Sequence, residues 1–238
     1  MGNMNNEVVR KQDRAFVVDK ALAQGYFYQA YLSAEKGNWN EAIEKYTAGL
    51  KIKPDYAIAI NNRGLAYYKL GIIDKAISDY TTAISIDSNL DISFFNRGNA
   101  YNKMKVYVRA IADYTASLKL EPNDAIAFYN RGYAYYKKVD FDKAIDDFTS
   151  ALKINLNHTD SLINRGNAYA EKGYIAQAIT DYTSALKIKP DDVDCLINRA
   201  AVYAEKRDFD RAVADLEAVL KKEPNNINAL NFIKMISQ

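Results

Sequence analysis

The sequence predicts an all-α protein, a solenoid of antiparallel helix hairpins stacked one on the next, and three observations carry that prediction. The chain repeats every 34 residues, six times, without an inserted or deleted residue. With Ala23 as position 1, the blocks run 23–56, 57–90, 91–124, 125–158, 159–192 and 193–226. A fixed period of that length marks supersecondary units that bury their apolar faces against their neighbours. Within each block, small and aromatic residues recur at three- and four-residue spacing in two stretches, the stripe of a helix that packs one face. All four prolines share one slot, position 32 (Pro54, Pro122, Pro190, Pro224), where they end one unit ahead of the next.

The elements follow in chain order. Residues 1–6 are polar and are expected to form a disordered tail within the N-terminal segment 1–22. From Glu7 onward, Val8, Val9, Phe16, Val17 and Leu22 stand among charges, which predicts an amphipathic helix ahead of the array 23–226. Each block then opens a first helix. Its position 8 is small throughout (Ala30, Gly64, Gly98, Gly132, Gly166, Ala200), and its position 11 is Tyr in five blocks. A breaker near position 15, such as Gly37, Gly71 or Gly173, supplies the positive φ that ends it. The second helix carries Ala at position 20 in every block. At position 24 stand Tyr46, Tyr80, Tyr114, Phe148, Tyr182 and Leu216. The small residues let two backbones close up, and the aromatics fill what remains. Residues 227–238 start a seventh block and stop after one helix. Leu230, Ile233 and Ile236 are expected on its buried side, and Asn231, Lys234 and Gln238 outward, as a solvating cap.

Gly64, Tyr67, Ala76, Tyr80 and Ala83, with the slot at Ser88, resemble the tetratricopeptide repeat, and the other five blocks resemble it too. The resemblance implies a right-handed superhelix whose concave groove is lined by positions 2, 5, 6, 9, 12 and 13 of each first helix. It says little about the partner, because the motif consists of packing residues.

One departure from the family pattern is systematic. Position 7, usually apolar, is Arg63, Arg97, Arg131, Arg165 and Arg199, and the same five blocks carry Asp79, Asp113, Asp147, Asp181 and Asp215 at position 23. The first block has neither; it carries Gln29 and Lys45. Positions 7 and 23 lie eight residues to either side of the turn, so they sit at one level of the hairpin. That predicts an Arg–Asp pair within each repeat or across to its neighbour, with a structural role.

Composition narrows the function class. Hydrophobic residues make 49% of the chain, enough for a continuous core, and 32 basic against 30 acidic residues give a net charge of +2, no nucleic-acid footprint. No apolar run approaches the ~18 residues of a membrane span. No basic leader or cleavage site is visible, so a soluble, cytoplasmic protein is the expectation; a trimmed secreted or periplasmic chain would read the same. Cys195, the single cysteine, reads as a small buried residue at position 3, and His158, the single histidine, sits in an inter-repeat turn. No His/Cys/Asp/Glu cluster has metal-ligand spacing and no Gly-rich phosphate loop is present, so no enzyme activity and no cofactor are expected. Asp146–Asp147 and Asp191–Asp192 read as structural or solvated acids.

The groove positions point to peptide binding. Position 6 is Asn62, Asn96, Asn130, Asn164 and Asn198, a row of amides expected to face solvent in an empty groove and to grip the backbone of an extended chain. Phe95, Tyr129 and Tyr133 would take its apolar side chains. Tyr68, Asn99 and Asn167 stand at other groove positions. Lys69, Lys103 and Lys137 at position 13 give way to Glu171 and Glu205, and position 2 turns from Ile58, Ile92 and Ile126 to Asp160 and Asp194. The family's carboxylate clamp is not expected, since no Lys stands at positions 5 or 2 and no Arg at 6. The partner is therefore a protein or an extended peptide. The alternatives are a self-assembling module that oligomerises through the N-terminal helix or the groove, and a non-catalytic part of a larger complex.

Overall fold

The computed structural model describes residues 2–236, with side chains from Asp19 onward, and shows helices joined by short turns and no strand among those residues. The chain divides into two compact units at Glu121/Pro122. The first contains α1 (Gly2–Glu35), α2 (Trp39–Ile52), α3 (Ala57–Lys69), α4 (Ile73–Ile86), α5 (Asp91–Lys103) and α6 (Tyr107–Leu120). The second contains α7 (Ala125–Lys137), α8 (Phe141–Ile154), α9 (Thr159–Glu171), α10 (Ile175–Ile188), α11 (Val193–Glu205), α12 (Phe209–Lys222) and α13 (Ile227–Ile236). Each odd helix packs against the even helix that follows it, and within each unit the even helix packs against the next odd one.

The hairpin forms because the sequence lets two backbones approach. Ala42, Ala76, Ala110, Ala144, Ala178 and Ala212 are wholly buried at position 20. At position 8, a Cβ on Gly64, Gly98 or Gly166 would come within 2.7–2.9 Å of the tyrosine ring at position 24 of the same repeat. In these repeats the close ring leaves no room for a Cβ, so the two positions form one packing device; repeat one fits Ala30 alongside Tyr46. Repeat six relaxes it with Ala200 against the smaller Leu216, both fully buried.

The turn after the first helix is left-handed at position 15 in all six repeats. Gly37, Gly71 and Gly173 adopt it at φ near +76, and so do Lys105, Val139 and Arg207 at φ 60 to 63. Sequence reading locates only the glycine turns, because the other three residues carry no breaker chemistry. The backbone demand is the same, and the flanking helices impose it.

Two terminal expectations change. Residues 2–6, read as a disordered tail, form the start of α1, which runs unbroken into the first repeat. On α13 the residues packed against the core are Ala229, Phe232, Ile233 and Ile236, whereas Leu230 is exposed. Ile233 and Ile236 lie on the packed side, with Ala229 and Phe232 in place of Leu230. Gln238 lies outside the described residues.

Candidate functional site

The Arg–Asp residues meet inside their own hairpins. Arg63–Asp79, Arg97–Asp113, Arg131–Asp147, Arg165–Asp181 and Arg199–Asp215 each form a two-pronged contact, Nε and Nη2 donating to the two carboxylate oxygens at 2.7–2.8 Å. The parallel fork is the strong form of a charge-assisted bond. The third arm of the guanidinium reaches the preceding repeat. Nη1 of Arg63, Arg97, Arg165 and Arg199 donates to Thr47, Thr81, Thr149 and Thr183, at 3.4, 3.0, 3.0 and 3.1 Å. Hydrogen bonding to the aspartate holds these four guanidinium groups further above their usual pKa, against the opposing effect of burial. The arginine thus ties helix to helix and repeat to repeat. The threonine was missed, though the signal existed: Thr fills position 25 ahead of these arginines, and Glu217 fills it in the sixth block, which no arginine block follows.

The amide row is less open than the sequence suggested. Asn96 is buried, 9% exposed, and its Nδ2 donates to Asn61 Oδ1 at 3.1 Å. Asn61 also accepts from Ser93 Oγ and donates to Asn62 Oδ1, at 3.1 Å each. The expectation that Asn96 faces an empty groove is corrected. Position 5 of the preceding repeat is here a polar side chain, which draws the amide inward. Asn164 Nδ2 donates to the Asp160 carbonyl at 2.9 Å and to Tyr129 Oη at 3.4 Å. Asn198 Nδ2 donates to Asn167 Oδ1 at 3.1 Å. Asn62, Asn130, Asn164 and Asn198 are half-buried. Asn164 and Asn198 therefore spend their donors on the protein, and their carbonyl oxygens have no partner among the described residues.

Position 9 has a structural duty too. Tyr114 Oη donates to Asn99 Oδ1 and Tyr182 Oη to Asn167 Oδ1, each at 2.7 Å. In repeat two the equivalent residue is Leu65, and Tyr80 Oη is buried without a partner among the described residues, as is Asn102 Oδ1. Phe95 and Tyr129 are half-buried and pack tilted against Tyr114 and Phe148, at 6.0 and 5.9 Å between ring centres. They are walls of the repeat rather than free anchors. Tyr68 lies under Lys103 Nζ at 4.9 Å, and Lys137 Nζ stands 5.2 Å from the Tyr133 ring and 5.9 Å from the Tyr136 ring. Lys69 is exposed, as are Asp160 and Asp194, which stand in the first turns of α9 and α11 where helix N-termini favour carboxylates.

In the second unit a cavity of about 470 Å³ opens along α7, α9 and α11. Tyr136, Asn167, Ala170, Glu171, Asn198, Ala201, Val202 and Glu205 line it, with Tyr182 of α10 below. Burial, and then the charge of Glu171, hold the Tyr136 phenol above its usual pKa. Of these residues only Asn167 and Asn198 belonged to the sequence-derived set. Glu171 and Glu205 carried a signal, the change of sign at position 13.

The remaining chemistry-bearing residues serve the fold. His158 caps α9, its Nδ1 accepting from Ser161 N–H at 3.2 Å. Asp192 caps α11 through Cys195 N–H at 3.0 Å, and Asp191 pairs with Lys222 at 2.9 Å. Burial pushes the Cys195 thiol up to about 12, so it stays protonated at neutral pH. Among the described residues no helix is long and apolar enough to cross a membrane.

Stacked helix hairpins define an α-helical repeat protein. The chain belongs to the tetratricopeptide repeat family. Models described as TPR repeat and tetratricopeptide repeat match residues 30–71, 107–139 and 166–207, 57–90 and 125–158, and 194–226. Among curated proteins none matches the sequence. Among solved structures the chain is similar to PilF of Pseudomonas aeruginosa (TM-score 0.76, 17% identity, over 90% of this chain and 97% of that one). It is also similar to YrrB, described as a TPR protein with an unusual peptide-binding site (0.71, 21%, 79% and 97%), and to MamA (0.66, 25%, 68% and 94%).

Proposed function

We propose that this chain is a non-enzymatic scaffold that holds an extended segment of a partner protein against the first helices of its repeats. Tetratricopeptide repeats are in general protein-interaction scaffolds, and the peptide-binding site of YrrB sets a precedent on a similar fold. The observation that carries the reading is the cavity along α7, α9 and α11, which brings the uncommitted amide carbonyl of Asn198 together with an aromatic edge and open space. That carbonyl and its counterpart on Asn164 make the amide row an acceptor row: Asn164 and Asn198 would take backbone N–H groups from the partner. In the first unit, Lys69 and Lys103 beside Tyr68 favour acidic side chains.

Panning a random peptide library on the full chain supplies a ligand with which to test this. Asn164→Ala with Asn198→Ala should weaken that ligand about tenfold, on the order of 1–3 kcal/mol for two amide–backbone bonds. Helix content should be unchanged. An undiminished affinity in the folded variant would remove these amides from the site. A second reading, self-assembly through the N-terminal helix, has one observation in its favour: α1 continues through 34 residues as a single helix, far beyond the length of a repeat's first helix. The size of the chain in solution, with and without residues 1–18, separates the two.

A further inference from the structure

Position 13 lies in the last turn of each repeat's first helix, where the macrodipole favours a cation. α3, α5 and α7 follow that rule with Lys69, Lys103 and Lys137. α1 breaks it with Glu35, and so, in the second unit, do α9 and α11: they end on Glu171 and Glu205 and have no basic residue in their last turn. Both carboxylates are exposed and line the 470 Å³ cavity, and neither has a hydrogen-bond or ion-pair partner among the described residues. The lysine that follows Glu171 is engaged elsewhere, since Lys172 pairs with Asp142. Asp160 and Asp194 occupy position 2 of the same two helices, so their groove positions hold four carboxylates and no cation. Lys137 of α7, next in sequence to the lining Tyr136, is held over Tyr133 and Tyr136.

A sequence that places unneutralised acids at the wrong end of two helices loses stability there, and a cation from outside restores it. The cavity has the room, because positions 9 and 12 carry Ala201 and Ala170 where other repeats carry tyrosines. It also presents acceptors, beside the Asn167 amide nitrogen and the Tyr136 hydroxyl. Asn167 Oδ1 already receives Tyr182 Oη and Asn198 Nδ2, which leaves Asn198 Oδ1 and the two glutamates. A planar, many-donor cation beside an aromatic ring is the complement of such a lining.

We infer that this cavity receives an arginine side chain of the partner segment, with Glu171 and Glu205 as its counter-charges and the Tyr136 ring beside it. The inference rests on the groove-binding reading and adds a chemical preference to it. The probes are three fluorescein-labelled twelve-residue peptides, Ser alternating with Arg, with citrulline or with Glu. Their binding to the full chain is read by fluorescence anisotropy at low and physiological salt. The arginine peptide should bind about tenfold more tightly than the citrulline peptide, which keeps the shape without the charge, and the glutamate peptide should be weakest. Glu171→Gln with Glu205→Gln should weaken the arginine peptide about tenfold. Asp210→Asn with Glu217→Gln, an equal loss of charge on α12, should change it less than about twofold.

Equal losses in the two double variants, or equal binding of the citrulline peptide, overturn the inference. If panned library peptides bind the chain while Glu171→Gln with Glu205→Gln leaves the arginine peptide unaffected, only the arginine site falls. If no peptide of any kind binds, the groove reading falls as well.

Discussion

A tyrosine hydroxyl inside a repeat is worth what its partner makes of it. Tyr114 and Tyr182 are buried at position 24 and donate at 2.7 Å to the asparagine at position 9, whereas Tyr80, in a repeat with Leu65 at position 9, is equally buried and has no partner among the described residues. A buried hydroxyl without a partner forfeits its hydration with nothing in return, whereas a satisfied one contributes about 0.5–1.5 kcal/mol. Tyr182→Phe should therefore destabilise the chain by about 1 kcal/mol in urea unfolding, and Tyr80→Phe should be neutral or stabilising. A comparable loss from both would show that Tyr80 has a partner after all. Such pairs also mark where sequence reading fell short. Asn99 and Asn167 share a helix face with the groove, and from the sequence an amide on that face reads as a ligand contact. Its commitment to a tyrosine fifteen residues on becomes visible only when the hairpin closes. The Arg–Asp pairs were legible because five blocks changed both residues together and one changed neither.

The left-handed turn at position 15 shows what an element demands of its residues. Helices and their period follow from spacing alone, and so did every hairpin here, yet three of the six turns carry no glycine. Val139 is the costliest of these, a β-branched side chain at φ 63 that is 70% exposed and so gains little from packing. The αL conformation costs a non-glycine residue roughly 1–2 kcal/mol, more for a branched one, while glycine loses roughly 0.5–1 kcal/mol in chain entropy. Val139→Gly should then stabilise the protein by about 0.5–1.5 kcal/mol, seen as a higher urea midpoint with an unchanged slope. Gly71→Val, the converse at an equivalent turn, should destabilise by more than that. A destabilised Val139→Gly chain would mean that the exposed valine makes contacts its 70% exposure does not suggest.

At the scale of the whole molecule, burial of acid groups links folding to alkaline pH. The six-fold period makes the solenoid legible from the residues alone, because each unit must bury its small and aromatic stripe against the next. Which phenols are sealed off depends on the packed result. Burial raises the ionisation of Tyr80 and Tyr114 in the first unit and of Tyr182 in the second far above the ordinary 10.0, that of Tyr129 to about 12, and that of the Cys195 thiol from 9.0 to about 12. Between the unfolded and folded values, the unfolded chain has released a proton that the folded chain still holds. Unfolding is then favoured as pH rises, by about 1.4 kcal/mol per pH unit for each such group. The stability these groups contribute is complete below pH 9, and it is lost first through Cys195 and then, above pH 10, through the tyrosines. Urea midpoints should accordingly be flat near neutrality and fall steeply between pH 10 and 11.5. In the same range, absorbance at 295 nm should show the exposed tyrosines titrating with the helices intact and the buried set only as helical signal is lost. Lysines also lose charge there, so the decisive comparison is with Tyr182→Phe, which removes one of the linked protons and nothing that titrates below pH 10. Its midpoint should fall less steeply than that of the unaltered chain. Parallel slopes, or a single phenol titration near pH 10 in a fully helical protein, would show that Tyr182 meets solvent in the folded state.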